Sequence, residues 1–217
     1  RLRRFQNIFS EGTSTRIAFW ALEPRLGSKW HPGDGHTLRG SYSYEVLASH
    51  FDRQWSGPLL SGYRSLNAGI GRFFQNRIHS LSLGYVLGNW GDRNMMNITA
   101  LFKREPEYLG MGSLQPGPYT FVFSEPQEDR NTASINLNLD HYLPTLSYNV
   151  KLRLIWGSRG YENRVNGRLR RILSRNMSLG GEWRSAFGGG FEFHGGMLFS
   201  RMWTRTDQRF FADTFRG

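Results

Sequence analysis

The chain has no cysteine, only three lysines (Lys29, Lys103 and Lys151), and no long apolar run. Each absence removes a class of protein. Without cysteine there is no disulfide framework and no thiolate-held metal. A membrane-spanning helix needs about 18 consecutive apolar residues, so if this sequence crosses a bilayer it does so as strands. The opening residues RLRRFQNIFSEG are basic, yet they lack the apolar stretch of roughly 7 to 15 residues and the small-residue cleavage site of a secretory signal. Nothing in the chain carries a sustained helical period, a linker or a low-complexity tract.

What is present is a 217-residue chain, 38% hydrophobic, with a net charge of +11 and a mean hydropathy of −0.53. A soluble all-β domain has such values. So does a β-barrel with a polar lumen, because only every second strand residue then faces lipid. Composition leaves both open, and alternation separates them.

Successive strand residues point to opposite faces. Leu146 to Trp156 therefore set Leu146, Tyr148, Val150, Leu152, Leu154 and Trp156 against Ser147, Asn149, Lys151, Arg153 and Ile155. Tyr148 and Trp156 are eight residues apart, roughly 26 Å along a strand, or roughly 20 Å of height at a tilt of about 40°. That matches an apolar band between two aromatic girdles. The same period recurs. Leu38 to Val46 alternate with Thr37 to Glu45; Leu81, Leu83, Tyr85 and Leu87 with Ser80, Ser82, Gly84 and Val86; Ala133, Ile135, Leu137 and Leu139 with Ser134, Asn136, Asn138 and Asp140. Phe191, Phe193, Met197, Phe199 and Trp203 oppose Glu192, His194, Ser200 and Thr204. Residues 96 to 103 and 168 to 187 follow more loosely, and Arg16 to Trp30 is ambiguous, being apolar on both faces from Ile17 to Leu22.

Breaks between these runs alternate in length. Short ones fall at His31 to Gly35, Trp90 to Asn94, Leu143 to Thr145 and Gly188 to Gly190, while longer loops are expected over 50 to 77, 104 to 118 and 157 to 168. Short turns on one side and long loops on the other describe an up-and-down outer-membrane barrel. The expected fold is all-β and antiparallel, with about eight strands and the start of a ninth at Arg209 to Arg216.

Several segments, in order, resemble the C-terminal barrel region of TonB-dependent outer-membrane receptors, above all the SusC-like group. They are Glu23-Pro24-Arg25-Leu26-Gly27 with His36-Thr37-Leu38-Arg39-Gly40-Ser41-Tyr42-Ser43, then Tyr63-Arg64-Ser65-Leu66-Asn67 with Gly69 and Gly71, then Gly88-Asn89-Trp90. Asp140 to Leu152 is the most similar, followed by Tyr161 to Gly167; together these span most of residues 23 to 205. The resemblance implies one domain over residues 1 to 217, part of a larger barrel of possibly 22 strands. It also implies nutrient uptake at the outer membrane of a Gram-negative bacterium, with TonB and a surface lipoprotein as partners. No segment resembles the family's plug, and the chain closes on Asp213-Thr214-Phe215-Arg216-Gly217 without a terminal aromatic, so a barrel fragment is expected.

Within that reading Trp30, Tyr148, Trp156, Trp183 and Trp203 are interface aromatics, and girdle placement outweighs a sugar-stacking role. Leu81, Leu83, Ile135, Leu137, Val150, Leu152, Leu154, Phe193 and Phe199 are the lipid-facing set. Lys151, Arg153, Glu182, Arg184, Glu192 and His194 have lumen-facing parity; mutual pairing across strands explains them more simply than a solute site. Arg201 interrupts the apolar face between Phe199 and Trp203, where an arginine near an interface keeps its stem in the apolar layer and its head outside.

Enzyme chemistry finds no motif. The six histidines are scattered, His50 and Asp52 alone make no metal site, Gly188-Gly189-Gly190 lacks the following Lys and Ser/Thr of a phosphate loop, and no GxSxG occurs. The sequons at Asn97 and Asn176 fall inside expected strands. No cofactor is expected. The basic residues, almost all Arg, are dispersed rather than clustered, which weakens a nucleic-acid reading and suits lumen networks and lipopolysaccharide phosphates. Three functions therefore compete: a receptor segment for uptake, a barrel acting as scaffold or binding platform, and a soluble basic nucleic-acid binder.

Overall fold

A computed structural model describes residues 2–11, 13–49, 57–88, 94–185 and 192–206. Twelve strands make up the described secondary structure: β1 Leu2–Glu11, β2 Thr13–Leu22, β3 Arg25–Trp30, β4 His36–Ala48, β5 Leu59–Gly62, β6 Ser65–Ala68, β7 Gln75–Leu87, β8 Asn94–Leu114, β9 Thr120–Leu143, β10 Tyr148–Val165, β11 Arg168–Ser185 and β12 His194–Thr206. β1 and β2 form their own hairpin. The main sheet runs β12-β11-β10-β9-β8-β7-β4-β3, each neighbour antiparallel to the next. The sheet is open, with β3 and β12 as its edges, and the small β5–β6 hairpin joins it through β9.

Seven strands of this path contain the segments read from alternation, and the ambiguous stretch Arg16 to Trp30 divides into β2 and β3; several boundaries differ, β9 beginning at Thr120 rather than near Ala133. The loop expected over 104 to 118 is strand as far as Leu114, and the one over 157 to 168 shrinks to a two-residue turn between Val165 and Arg168. That turn is Asn166-Gly167, both with positive φ (51° and 78°), the preference of the mirror-image turns that match strand twist. Residues 57 to 77 hold β5, β6 and the start of β7. Leu146 belongs to the turn before β10 rather than to the strand. Trp90, Phe191, Gly188 to Gly190, His50, Asp52 and the expected strand at Arg209 to Arg216 lie outside the described residues.

Register turns the alternation of single strands into one surface. Trp30 faces Leu38, which faces Tyr85, then Ile98, Leu137, Leu154, Leu179 and Phe199, one residue from each strand from edge to edge. A second row runs Leu87, Met96, Leu139, Leu152, Gly181, Met197. A slip of one residue anywhere would send a strand's apolar set to the other face. Among the described residues no second layer covers either side. Leu83 and Phe199 remain 55% and 56% exposed, and the buried hydrophobic residues are Ala21, Val46, Phe74, Tyr108 and Leu109.

The hairpin ends are staggered. The row that starts at His36, beside the β3–β4 turn, crosses β9 at Leu139, four residues short of Leu143 where β9 meets β10. Four residues are roughly 13 Å, set against roughly 19 Å for four strand spacings, giving a tilt of about 35°. This lies within the range of strands in transmembrane barrels.

The β8–β9 hairpin also rolls. In the body of the sheet β8 lies between β7 and β9, and β9 between β8 and β10. Beyond Pro106 the order is exchanged. β8 now pairs in parallel with β10 (Gly112 with Arg164, Ser113 with Val165), and the other edge of β9 takes β6 (Ser65 with Thr120 through Ala68 with Phe123). Because β8 and β9 keep one register throughout, the pair must turn half a revolution about its own axis. The seam carries Pro106, which has no N–H for the ladder, opposite Asp129 at φ 54°. These two parallel pairings make the sheet mixed, a departure from the purely antiparallel fold expected.

Candidate membrane interface

Every expected lipid-facing and aromatic residue falls on the apolar side. Leu81, Leu83, Ile135, Leu137, Val150, Leu152, Leu154 and Phe199 lie on one face by register, and Phe193 accepts a backbone hydrogen bond from Ser185 at the row of Tyr148. In β10 to β12 the aromatics mark both margins. Tyr148, Trp183 and Phe193 stand beside the short turns, and Trp156 and Trp203 beside the long hairpins, with Val150, Leu152, Leu154, Leu179 and Met197 between them. Trp30 occupies the turn-side margin at β3. Trp183 lies over Gly195, where a Cβ would stand 2.7 Å from the indole, so only glycine permits this packing.

The opposite side collects Lys151, Arg153, Glu182, Arg184, Glu192 and His194. Lys151 is in register with both Asp140 and Glu182, and its ammonium takes Asp140 at 3.5 Å. Arg184 pairs with Glu192 at 2.5 Å, and Arg153 Nε donates to Asn138 at 3.3 Å. Two shallow open hollows lie here, ≈ 440 Å³ around Glu182, Arg184, Glu192 and His194, and ≈ 640 Å³ along Asp140 and Arg153. Their charges are more than half exposed on Arg184 and Glu192 (62% and 64%). Such exposed pairs contribute at most about 1 kcal/mol each, and their charges are spent on one another rather than reserved for a solute.

The rolled head holds a polar cluster that alternation did not reveal, because residues 104 to 118 read as a loop. Glu105 and Arg130 are register partners just past Lys103, beyond the apolar tract. The Arg130 guanidinium grips both Glu105 oxygens (Nε at 2.7 Å), Asn76 donates to the same carboxylate at 2.6 Å, and Arg130 also lies 4.5 Å over the Tyr108 ring. Burial pushes the Glu105 carboxyl upward, but the hydrogen bonds from Arg130 and Asn76 and the charges of Arg130 and Arg159 outweigh it, leaving the pKa lowered.

Tyr108 is the most buried aromatic of the head, at 2% exposure. Its parity matches Phe102 on the apolar side; the roll carries it under β10 instead. There its hydroxyl accepts from the Glu162 N–H at 2.7 Å and faces the Glu162 carbonyl at 2.6 Å and Gln127 Oε1 at 2.9 Å. Burial raises its pKa despite that backbone hydrogen bond, so the hydroxyl stays protonated. Tyr108→Phe leaves these groups unpaired, and a loss of about 1–3 kcal/mol is expected in urea unfolding. An unchanged midpoint would mean that the hydroxyl does not hold the head to β10. The Asn166-Gly167 pair was the one sequence signal for this region, since it implies a hairpin where a loop was read.

No protein-family model matches the chain, and no curated protein matches it. The fold itself is defined: an all-β chain dominated by an open ten-stranded sheet.

Proposed function

We propose that the chain is a stretch of wall from a transmembrane β-barrel of the Gram-negative outer membrane, belonging to a TonB-dependent receptor of the SusC-like kind that takes up a nutrient. One observation carries the membrane half: an apolar row eight strands wide, on a sheet that no second layer covers among the described residues. A soluble domain buries such a face against another layer. Lipid covers it without one, and the stagger of about 35° and the aromatic margins agree with that solvent. The receptor half rests on the order of motifs between Glu23 and Gly167. On the polar side Lys151 and Arg184, which line the two hollows, are already held by Asp140 and Glu192, so no particular solute is favoured. TonB, a surface lipoprotein and the remaining barrel strands are the partners this reading brings with it.

Reconstitution of the chain into phosphatidylcholine vesicles containing dibrominated lipids tests the membrane half. Bromines near the headgroups are expected to quench the tryptophans more than bromines at the bilayer centre, while a tryptophan at Leu154 (Leu154→Trp) shows the reverse order. Quenching independent of bromine depth, or recovery of the chain only in the aqueous fraction with salt-dependent binding of single-stranded DNA, would overturn it.

A further inference from the structure

On the polar side Lys151 and Arg184 find carboxylates in Asp140 and Glu192; on the apolar side, at the margin beside the long hairpins, three arginines have no such partner among the described residues. Arg175 in β11 stands directly opposite Trp203 in β12, and Arg201 and Arg205 flank Trp203 two residues either way along the same strand. All four side chains therefore share one face, with the two diagonal neighbours roughly 7–8 Å from Arg175 at their Cα atoms. The Arg201 guanidinium lies 5.8 Å from the Trp203 ring. The residues in register around them are Met177, Leu173, Ser158, Gly160 and Trp156, none acidic. Glu162 is the nearest carboxylate in register on that face, and it stands opposite Arg171. None of Arg175, Arg201 and Arg205 makes an ion pair among the described residues. All three are exposed.

Like charges on neighbouring strand positions repel, so three guanidiniums grouped at the edge of an apolar face call for an anion supplied from outside. We propose that Arg175, Arg201 and Arg205 form, around Trp203, a site for the phosphate of a membrane lipid whose acyl chains lie along Phe199, Leu179 and Leu154. The inference rests on the membrane reading above. Each guanidinium offers a planar fork of donors suited to two phosphate oxygens, and its aliphatic stem stays against the apolar layer. Trp203 fits the boundary between acyl chain and headgroup. The site lies on the side of the long hairpins, outward in barrels of this kind, so its occupant is a lipid of the outer leaflet.

The test uses the full chain in phosphatidylcholine nanodiscs, with diphosphorylated lipid A titrated in and binding read by native mass spectrometry. The triple variant Arg175→Gln, Arg201→Gln, Arg205→Gln is expected to bind roughly 10- to 100-fold more weakly, and dephosphorylated lipid A is expected not to distinguish the two. If the triple variant fails to insert, Arg205→Gln alone carries the test, with a loss of about fivefold expected. Equal affinity of parent and variant, or equal binding of the dephosphorylated lipid, overturns the site. Competition by millimolar inorganic phosphate would make it a general anion site and overturn the lipid assignment. Insertion of each protein is scored separately by bromolipid quenching. A chain that inserts but loses no affinity refutes this site alone, whereas a chain that never inserts refutes the membrane reading beneath it.

Discussion

Leu154→Arg is expected to destabilise the bilayer-inserted chain by about 2–4 kcal/mol, while Ile155→Arg, one residue on, costs less than about 1 kcal/mol. Leu154 lies mid-row between Leu137 and Leu179, so an arginine there puts a guanidinium among neighbours that offer it nothing. Ile155 lies between Asn136 and Ser178 on the other face, where water and polar groups accept the charge. Urea titration of both variants in vesicles gives the comparison directly. Adjacent positions share backbone, propensity and height in the sheet, so only the environment of the face distinguishes them. Equal costs would mean that the two faces meet the same solvent, and the wall would not be a membrane wall.

Arg130→Leu is the second large effect, about 3–5 kcal/mol, because it leaves a buried carboxylate with the Asn76 hydrogen bond and the more distant charge of Arg159 but no ion-pair partner. The double variant Glu105→Gln, Arg130→Leu is expected to recover much of this, since the penalty comes from the uncompensated charge rather than from the missing pair. pH gives an independent reading. The folded pKa of Glu105 is lowered, so the unfolded chain binds its proton first as pH falls. Its contribution is complete above the ordinary glutamate pKa of about 4.3, and is lost as pH falls from there through the lower folded value. Between pH 6 and 3, Glu105→Gln is therefore expected to show a smaller fall in urea midpoint than the parent. Parallel curves would show that Glu105 is not the group that titrates.

Closing the roll depends on these same residues. Pro106 and Asp129 let β8 and β9 exchange sides, and Glu105, Arg130, Tyr108 and Gln127 fix the result by hydrogen bonds that reach Asn76 in β7 and Glu162 in β10. A hairpin that merely continued upward would leave Tyr108 on the apolar side, above Phe102.

Alternation was sufficient to find the strands from Leu38 to Val46, Leu81 to Leu87, Ala133 to Leu139 and Tyr148 to Trp156, because each residue's face follows from its parity alone. It also gives Lys151, Arg153, Glu182, Arg184, Glu192 and His194 the parity opposite to the apolar residues of their own strands. Parity carries no information about which strand lies beside which, or at what register. The unbroken row from Trp30 to Phe199, the stagger that tilts it and the convergence of Arg175, Arg201 and Arg205 on Trp203 arise from pairing, and pairing is a tertiary property. The same limit hid the head. Glu105 and Arg130 are 25 residues apart in a segment whose alternation is broken by Pro106 and Pro126, and only the half-turn of the hairpin brings Tyr108 beneath Glu162. Local chain geometry determined the two faces of each strand; long-range hydrogen bonding decided that those faces join into one apolar wall with a folded polar head above it.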